Sequence, residues 1–173
     1  MFCYLEYVNK RLLAYIGVAV AILAVVMAAG LYLTRGTHIR LEGSIQKTRT
    51  LAIEDNSSIV VVDFRFVNPA EYEFLVKEVE VQIVTADGNT HTGTNVAEID
   101  ARRLFEYYPA ILGQKFNDTL VAKERILPHQ SLDRMIAARF EVPQAELDAR
   151  KQLTIRVQDV DGASSEIREN NGQ

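Results

Sequence analysis

The chain has 173 residues, of which 48% are hydrophobic and 24% are charged, and its formal net charge is −4. This size allows one ordinary domain and a short appendage. The acidic balance and the lack of a basic stripe with interleaved aromatic residues argue against a nucleic-acid partner. A single cysteine excludes internal disulfides and thiolate zinc sites.

The first predicted element is an apolar helix over residues 12–33. These 22 residues (LLAYIGVAVAILAVVMAAGLYL) contain no charged side chain, and a helix of this length matches the roughly 30 Å hydrocarbon core of a bilayer. The alternatives are a core helix, which would have a polar stripe, and a cleaved signal peptide, whose apolar run is about 7–15 residues. We predict an uncleaved transmembrane helix between a short tail, residues 1–11, and a connector, residues 34–38.

The flanking charges bear on the orientation of this span. Lys10 and Arg11 adjoin it on the N-terminal side, whereas most basic residues that follow it belong to a predicted folded domain, and long domains translocate largely regardless of charge. A plain count of basic residues leans slightly the other way. We predict a cytoplasmic N-terminus and an extracytoplasmic domain, which is periplasmic if the source is bacterial.

Cys3 is interpreted as a free thiol, with lipidation as the alternative.

From residue 39 the hydrophobic period changes to two, which is typical of β-strands. We predict seven strands, over residues 39–52, 59–67, 75–84, 90–94, 119–127, 131–142 and 153–160. Their core-facing residues are predicted to be Val60, Val62, Phe64, Phe66, Val79, Val81, Ile83, Ile136, Phe140, Ile155 and Val157. Asp63 and Arg65 are predicted to face water. Asn68-Pro69 ends the second strand, because proline lacks an amide donor and restricts the residue before it.

One helix interrupts the strands. Asn95 and Glu98 have the spacing of a capping box, and Pro109 ends the helix. The apolar helical face is predicted to consist of Ala97, Ala101, Leu104, Phe105 and Tyr108. Turns are predicted at residues 86–89 and 161–162, a helical turn at residues 143–151, and a flexible tail at residues 163–173. The chain is therefore predicted to be mainly β, with an antiparallel sandwich over residues 39–162.

Residues 62–69 (VDFRFVNP), followed by the alternating residues 75–88, resemble the late-embryogenesis-abundant group-two family, also called the water-stress hypersensitivity domain. Residues 139–143 (RFEVP) resemble a later strand of that family, which closes on a proline. The resemblance covers about half of the predicted β domain, and residues 100–116 depart from it. It implies an immunoglobulin-like sandwich and provides no catalytic residues.

The side chains that carry chemistry in enzymes form no known motif. None of the histidines, His38, His91 and His129, has a second ligand at metal-binding spacing. Residues 159–162 (DVDG) begin like a calcium loop but lack its later ligands. There is no nucleophile elbow, phosphate-binding loop or dinucleotide fingerprint. We predict a non-enzymatic protein with no cofactor and no metal site.

The candidate interface is an aromatic cluster on and after the helix: Phe105, Tyr107, Tyr108 and Phe116. Such side chains are enriched at protein interfaces, and the alternative is that the helix plugs one end of the sandwich and its aromatic residues belong to the core. Tyr107 and Tyr108 cannot both point inward, so at least one should be exposed. The predicted function is protein binding or structural support at a membrane. The alternative is a tethered domain that binds a small ligand or lipid in a cleft.

Overall fold

The computed structural model describes residues 15–30 and 40–169. Residues 15–30 form helix α1 within an N-terminal unit, and a second compact unit begins at Ile39. Within the part of the chain that is described, no helix is both long enough and apolar enough to cross a membrane. The predicted tail (1–11), the ends of the predicted span (12–14 and 31–33) and the connector (34–38) lie outside the described residues.

The second unit is mainly β, as predicted, and its strands pair antiparallel. Its elements in chain order are β1 (Glu42–Glu54), β2 (Ser57–Val67), β3 (Phe74–Val84), β4 (Thr90–Asn95), α2 (Glu98–Tyr107), α3 (Pro109–Leu112), β5 (Arg125–Ile126), β6 (Ser131–Phe140), α4 (Gln144–Asp148), β7 (Gln152–Asp159) and β8 (Ser164–Arg168).

The strands form one continuous curled sheet in the order β1-β2-β6-β4-β3-β7-β8, with β5 added beside β3. The two halves of the sheet meet at β4, which pairs with β6 at its end and with β3 along its length. Gly93 allows this close packing, since a Cβ at this position would lie 2.6 Å from the Cζ of Phe140. The two outer strands, β1 and β8, also approach each other. The amide of Leu41, directly before β1, donates to the Ser165 hydroxyl of β8 at 2.7 Å.

A large apolar core fills the space between the β2-β6 and β3-β7 halves of the sheet. All eleven core residues predicted from the alternation are buried. Phe64 and Phe66 stack within it, with ring centroids 5.6 Å apart. The predicted turns are also present, and Gly88 and Gly162 occupy them with φ of +94° and +89°. The alternating pattern therefore predicted the inner faces of the sandwich correctly.

A second apolar cluster lies on the outer face of β1, β2 and β6, beneath α2 and α3. The helices therefore cover a face of the sheet and do not plug an end of the sandwich. This cover corrects the prediction that Asp63 faces water. Asp63 shares its face of β2 with Ile59 and Val61 and is buried with them. Arg65, nearer the end of the strand, is exposed as predicted.

Two local predictions around the helices and loops are wrong. Asn95 does not cap α2, because it ends β4 and its side-chain amide donates to the Val79 carbonyl, so Ala97 occupies the N-cap position. Residues 119–127 do not form one strand. Thr119 makes only an isolated bridge to Met135, and a positive φ of 69° at Lys123 breaks the extended backbone before the two-residue β5.

The predicted flexible tail over residues 163–173 is also wrong over much of its length. Residues 164–168 form β8, an eighth strand that pairs with β7. Ile167 is buried in the sandwich core, and Ser165 is buried beside Leu41. The segment appears polar in sequence because its exposed positions are polar and one of its two inward positions is a serine.

Candidate interaction surface

The candidate interface residues all lie in one segment, residues 98–118, called here the α2–α3 segment. Its inner side packs on the outer face of the sheet through Ala101, Phe105 and Leu112, which are all buried. Partly buried Leu104 packs against the same cluster. Phe105 therefore supports the segment from below, and its ring is not available to a partner.

A buried ion pair lies beneath the segment. Arg49 of β1 donates through Nη2 to the Asp63 carboxylate of β2, and both side chains are more than 90% buried. The other terminal nitrogen of Arg49 donates to the Leu112 carbonyl at 2.6 Å and to the Gln114 carbonyl at 3.2 Å. Its guanidinium carbon lies 4.9 Å from the Phe105 ring centre. Because one side chain joins both strands to the end of α3, this contact fixes the segment on the sheet.

The Asp63 carboxylate has a second partner from the same segment. The Asn117 side-chain amide donates to Asp63 Oδ1 at 2.9 Å. Both oxygens of this carboxylate are thus hydrogen-bonded, as a buried charge requires. The sequence contained a signal for this arrangement, because Ile59 and Val61 on the Asp63 face indicate a strand covered on both sides. An acidic residue in such a strand requires a partner.

The start of α2 is held by a second, more exposed network. Glu98 accepts from the Thr119 amide at 3.2 Å, and Lys115 Nζ lies 3.0 Å from the other Glu98 oxygen. Burial acts to raise the pKa of Glu98, but the hydrogen bonds from Thr119 and Lys115 outweigh it and hold the pKa below its ordinary value of 4.5. The ionised carboxylate therefore ties α2 to the loop that follows α3.

The outer side of the segment exposes five large apolar side chains, called here the α2–α3 surface. Their exposed fractions are Tyr107 76%, Phe116 72%, Ile99 59%, Ile111 57% and Tyr108 39%. The prediction that Tyr107 or Tyr108 is accessible is confirmed for both. Ile99 and Ile111 belong to this surface but were not predicted, because the candidate interface was chosen on aromatic side chains alone. Aromatic and aliphatic groups gathered on one segment are a feature of binding surfaces.

The other candidate chemistry is dispersed. His129 Nε2 lies 3.3 Å from Glu71 at the surface, whereas His91 Nε2 is buried without a hydrogen-bond partner in the described structure. His38 lies outside the described residues. Within residues 15–30 and 40–169, no three histidine, cysteine or acidic side chains are grouped to hold a metal ion.

A shallow depression beside the start of α2 bears on the small-ligand alternative. Its volume is about 250 Å³, and its lining includes Val79, Asn95, Leu120 and Ile136. Small-molecule sites usually enclose roughly 300–1,000 Å³. The sandwich core itself is filled by side chains. The depression beside α2 is therefore smaller than a usual small-molecule site.

No protein-family model matches the chain, and no curated protein matches it. Among solved structures, the chain is similar to an uncharacterized β-sandwich protein from Clostridium difficile 630. That similarity covers 76% of this chain and 86% of the other, with 10% sequence identity and a TM-score of 0.40.

Proposed function

We propose that this chain is a non-enzymatic, membrane-anchored protein whose β-sandwich domain binds another protein at the membrane surface. The observation that carries the proposal is the α2–α3 surface, where five large apolar side chains are exposed on a segment fixed from below by Arg49 and Asp63. Tyrosine and phenylalanine contribute much contact area at interfaces. A fixed base reduces the conformational entropy lost on binding.

The proposed anchor is residues 12–33. Its support is a run of 22 residues without a charge and the helical conformation of residues 15–30. Anchoring would confine the domain near membrane partners and raise its effective concentration there. Alkaline carbonate extraction tests the anchor. The full chain should stay in the membrane pellet, whereas a Val18→Arg/Val25→Arg variant should be released, since each mid-span arginine costs about 2.5–3.5 kcal/mol. Release of the unaltered chain would refute the anchor.

The proposed orientation places the N-terminus in the cytoplasm and the β domain outside it. Lys10 and Arg11 directly before the span support this orientation. Protease added to intact spheroplasts or right-side-out vesicles should digest the β domain without lysis. Protection until detergent is added would place the domain in the cytoplasm.

We also infer an immunoglobulin-like arrangement. The order β1-β2-β6-β4 followed by β3-β7-β8 corresponds to the immunoglobulin order A-B-E-D followed by C-F-G.

Kinship with the water-stress hypersensitivity family stays a prediction. Buried Asn68 supports it by giving the Asn-Pro signature a structural role. Its side-chain amide donates to the Tyr72 and Ile126 carbonyls at 2.7 and 3.2 Å, and its Oδ1 accepts from the Ala70 amide.

Partner recovery from solubilised membranes tests the binding surface. The full chain should co-purify with a stoichiometric protein, and Tyr107→Ser/Tyr108→Ser should lower that recovery because it removes exposed aromatic area. The matched control is Tyr72→Ser, which removes a tyrosine that is 57% exposed elsewhere on the domain. Unchanged recovery with the double variant, while its circular dichroism matches the unaltered chain, would refute the proposed surface.

A further inference from the structure

The start of β1 and strand β8 border a depression of about 420 Å³, separate from the α2–α3 surface. Its lining consists of Arg40, Leu41, Ser164, Ser165, Glu166 and Arg168. We propose that this depression binds a phosphate group, supplied by the headgroup of an anionic phospholipid. The inference deepens the proposed function. Only the choice of a lipid as the source of the phosphate rests on the proposed anchor.

The lining of the depression is basic. Arg40 forms no ion pair with a described residue, and Arg168 shares the Glu166 carboxylate with Arg156, at 2.8 and 2.9 Å. Arg156 also lies 3.6 Å from Glu80. Among the lining residues, Arg40 and Arg168 are cationic and only Glu166 is anionic, so the lining has a net positive charge in a chain whose net charge is −4. The Arg168 side chain is 62% exposed, so its guanidinium is accessible to an anion.

The lining also contains hydrogen-bond donors. The Ser165 hydroxyl oxygen accepts from the Leu41 amide at 2.7 Å, so its hydrogen is free to donate. Arginine side chains bind phosphate oxygens through paired, charge-assisted hydrogen bonds. The guanidinium groups of Arg40 and Arg168 and the Ser165 hydroxyl border one depression and match the acceptor oxygens of a phosphate.

Few residues separate the predicted span from the depression. Arg40 follows Leu33, the last residue of the predicted span, by seven residues. Seven extended residues reach at most about 25 Å. A basic residue tethered at this distance can reach the lipid headgroups, whose phosphate oxygens accept charge-assisted hydrogen bonds from arginine. Lipid phosphate is therefore the source that the chain itself keeps at high local concentration.

Native mass spectrometry of the full chain in detergent micelles tests the site, with phosphatidylglycerol and phosphatidylcholine as added lipids. The chain should retain phosphatidylglycerol preferentially, and Arg40→Gln/Arg168→Gln should weaken that binding by about tenfold or more. The matched control is Arg102→Gln/Arg103→Gln, which removes two arginines that are 63% and 60% exposed on α2. The control should bind phosphatidylglycerol as the unaltered chain does.

A parallel titration with inorganic phosphate distinguishes the two sources. The site is supported if phosphate raises the melting temperature of the unaltered chain but not that of Arg40→Gln/Arg168→Gln. If the same substitutions leave lipid binding unchanged, the site is assigned to soluble phosphate. Equal lipid binding by both double variants, with no phosphate effect, would overturn the site. If alkaline carbonate releases the full chain, the anchor is refuted. A phosphate effect that is lost in Arg40→Gln/Arg168→Gln would still support the site.

Discussion

Arg49 shows how one buried residue can determine where a surface segment lies. Its guanidinium bonds to Asp63 and to the Leu112 and Gln114 carbonyls, and its Nε is buried without a hydrogen-bond partner. A buried charge with an unsatisfied donor is costly unless its remaining contacts compensate for it. The α2–α3 segment supplies those contacts, so the pair and the segment stabilise each other.

Asp63→Asn should therefore destabilise the domain strongly. The substitution leaves the Arg49 charge buried without its counter-ion, and breaking such a pair costs about 3–5 kcal/mol. Denaturant unfolding followed by circular dichroism measures the loss. The matched control is Asp133→Asn, which breaks the exposed pair that Asp133 of β6 forms with Arg65 of β2. The control should cost far less, and equal losses would contradict the role assigned to Asp63.

At the scale of single elements, the attachment of α2 should depend on pH through Glu98. Its pKa in the folded chain lies below the ordinary value of 4.5, so folding favours the ionised carboxylate. The stabilisation is fully present above about pH 4.5 and is lost as pH falls through the folded-state pKa. The difference in unfolding free energy between the unaltered chain and Glu98→Gln should shrink as pH is lowered from 7 to 3. A difference that grows on acidification would contradict this role.

The last strand is a second element with a testable role. Ending the chain after Gly162 removes β8, exposes the edge of β7 and takes Ile167 out of the core. The shortened chain should unfold at lower denaturant concentration and aggregate, since it presents an unpaired edge strand. Ending the chain after Glu169 keeps β8 and should have little effect. Equal stability of the two shortened chains would instead indicate a dispensable tail.

The strands with clear alternation could be predicted from sequence, because a period of two directly reports which side chains face the core. The inner face of β2, from Val60 to Phe66, is the clearest example. The buried state of Asp63 could not be predicted from that period alone. It depends on the α2–α3 segment, which is distant in sequence and covers the outer face of the sheet.

Strand β8 was missed for a different reason. It is short, three of its five residues are exposed polar positions, and its burial depends on pairing with β7. The candidate interface was predicted in part. The aromatic cluster indicated the correct segment, but only packing against the sheet separates buried Phe105 from exposed Tyr107.

At the scale of the whole molecule, the chain combines a proposed anchor, a sandwich and the α2–α3 surface. In this proposal the anchor keeps the domain near membrane partners. The sandwich supplies a fixed base for α2 and α3. The α2–α3 surface supplies the contact area. The central claim is that this surface touches another protein in the membrane environment.

Site-specific photocrosslinking in native membranes tests that claim most directly. A benzophenone side chain replaces Tyr107 in the full chain, and the control places it at Tyr72, which is 57% exposed. We expect one discrete protein adduct from position 107 and none from position 72. No adduct at position 107, adducts to lipid only, or the same adducts from both positions would contradict it.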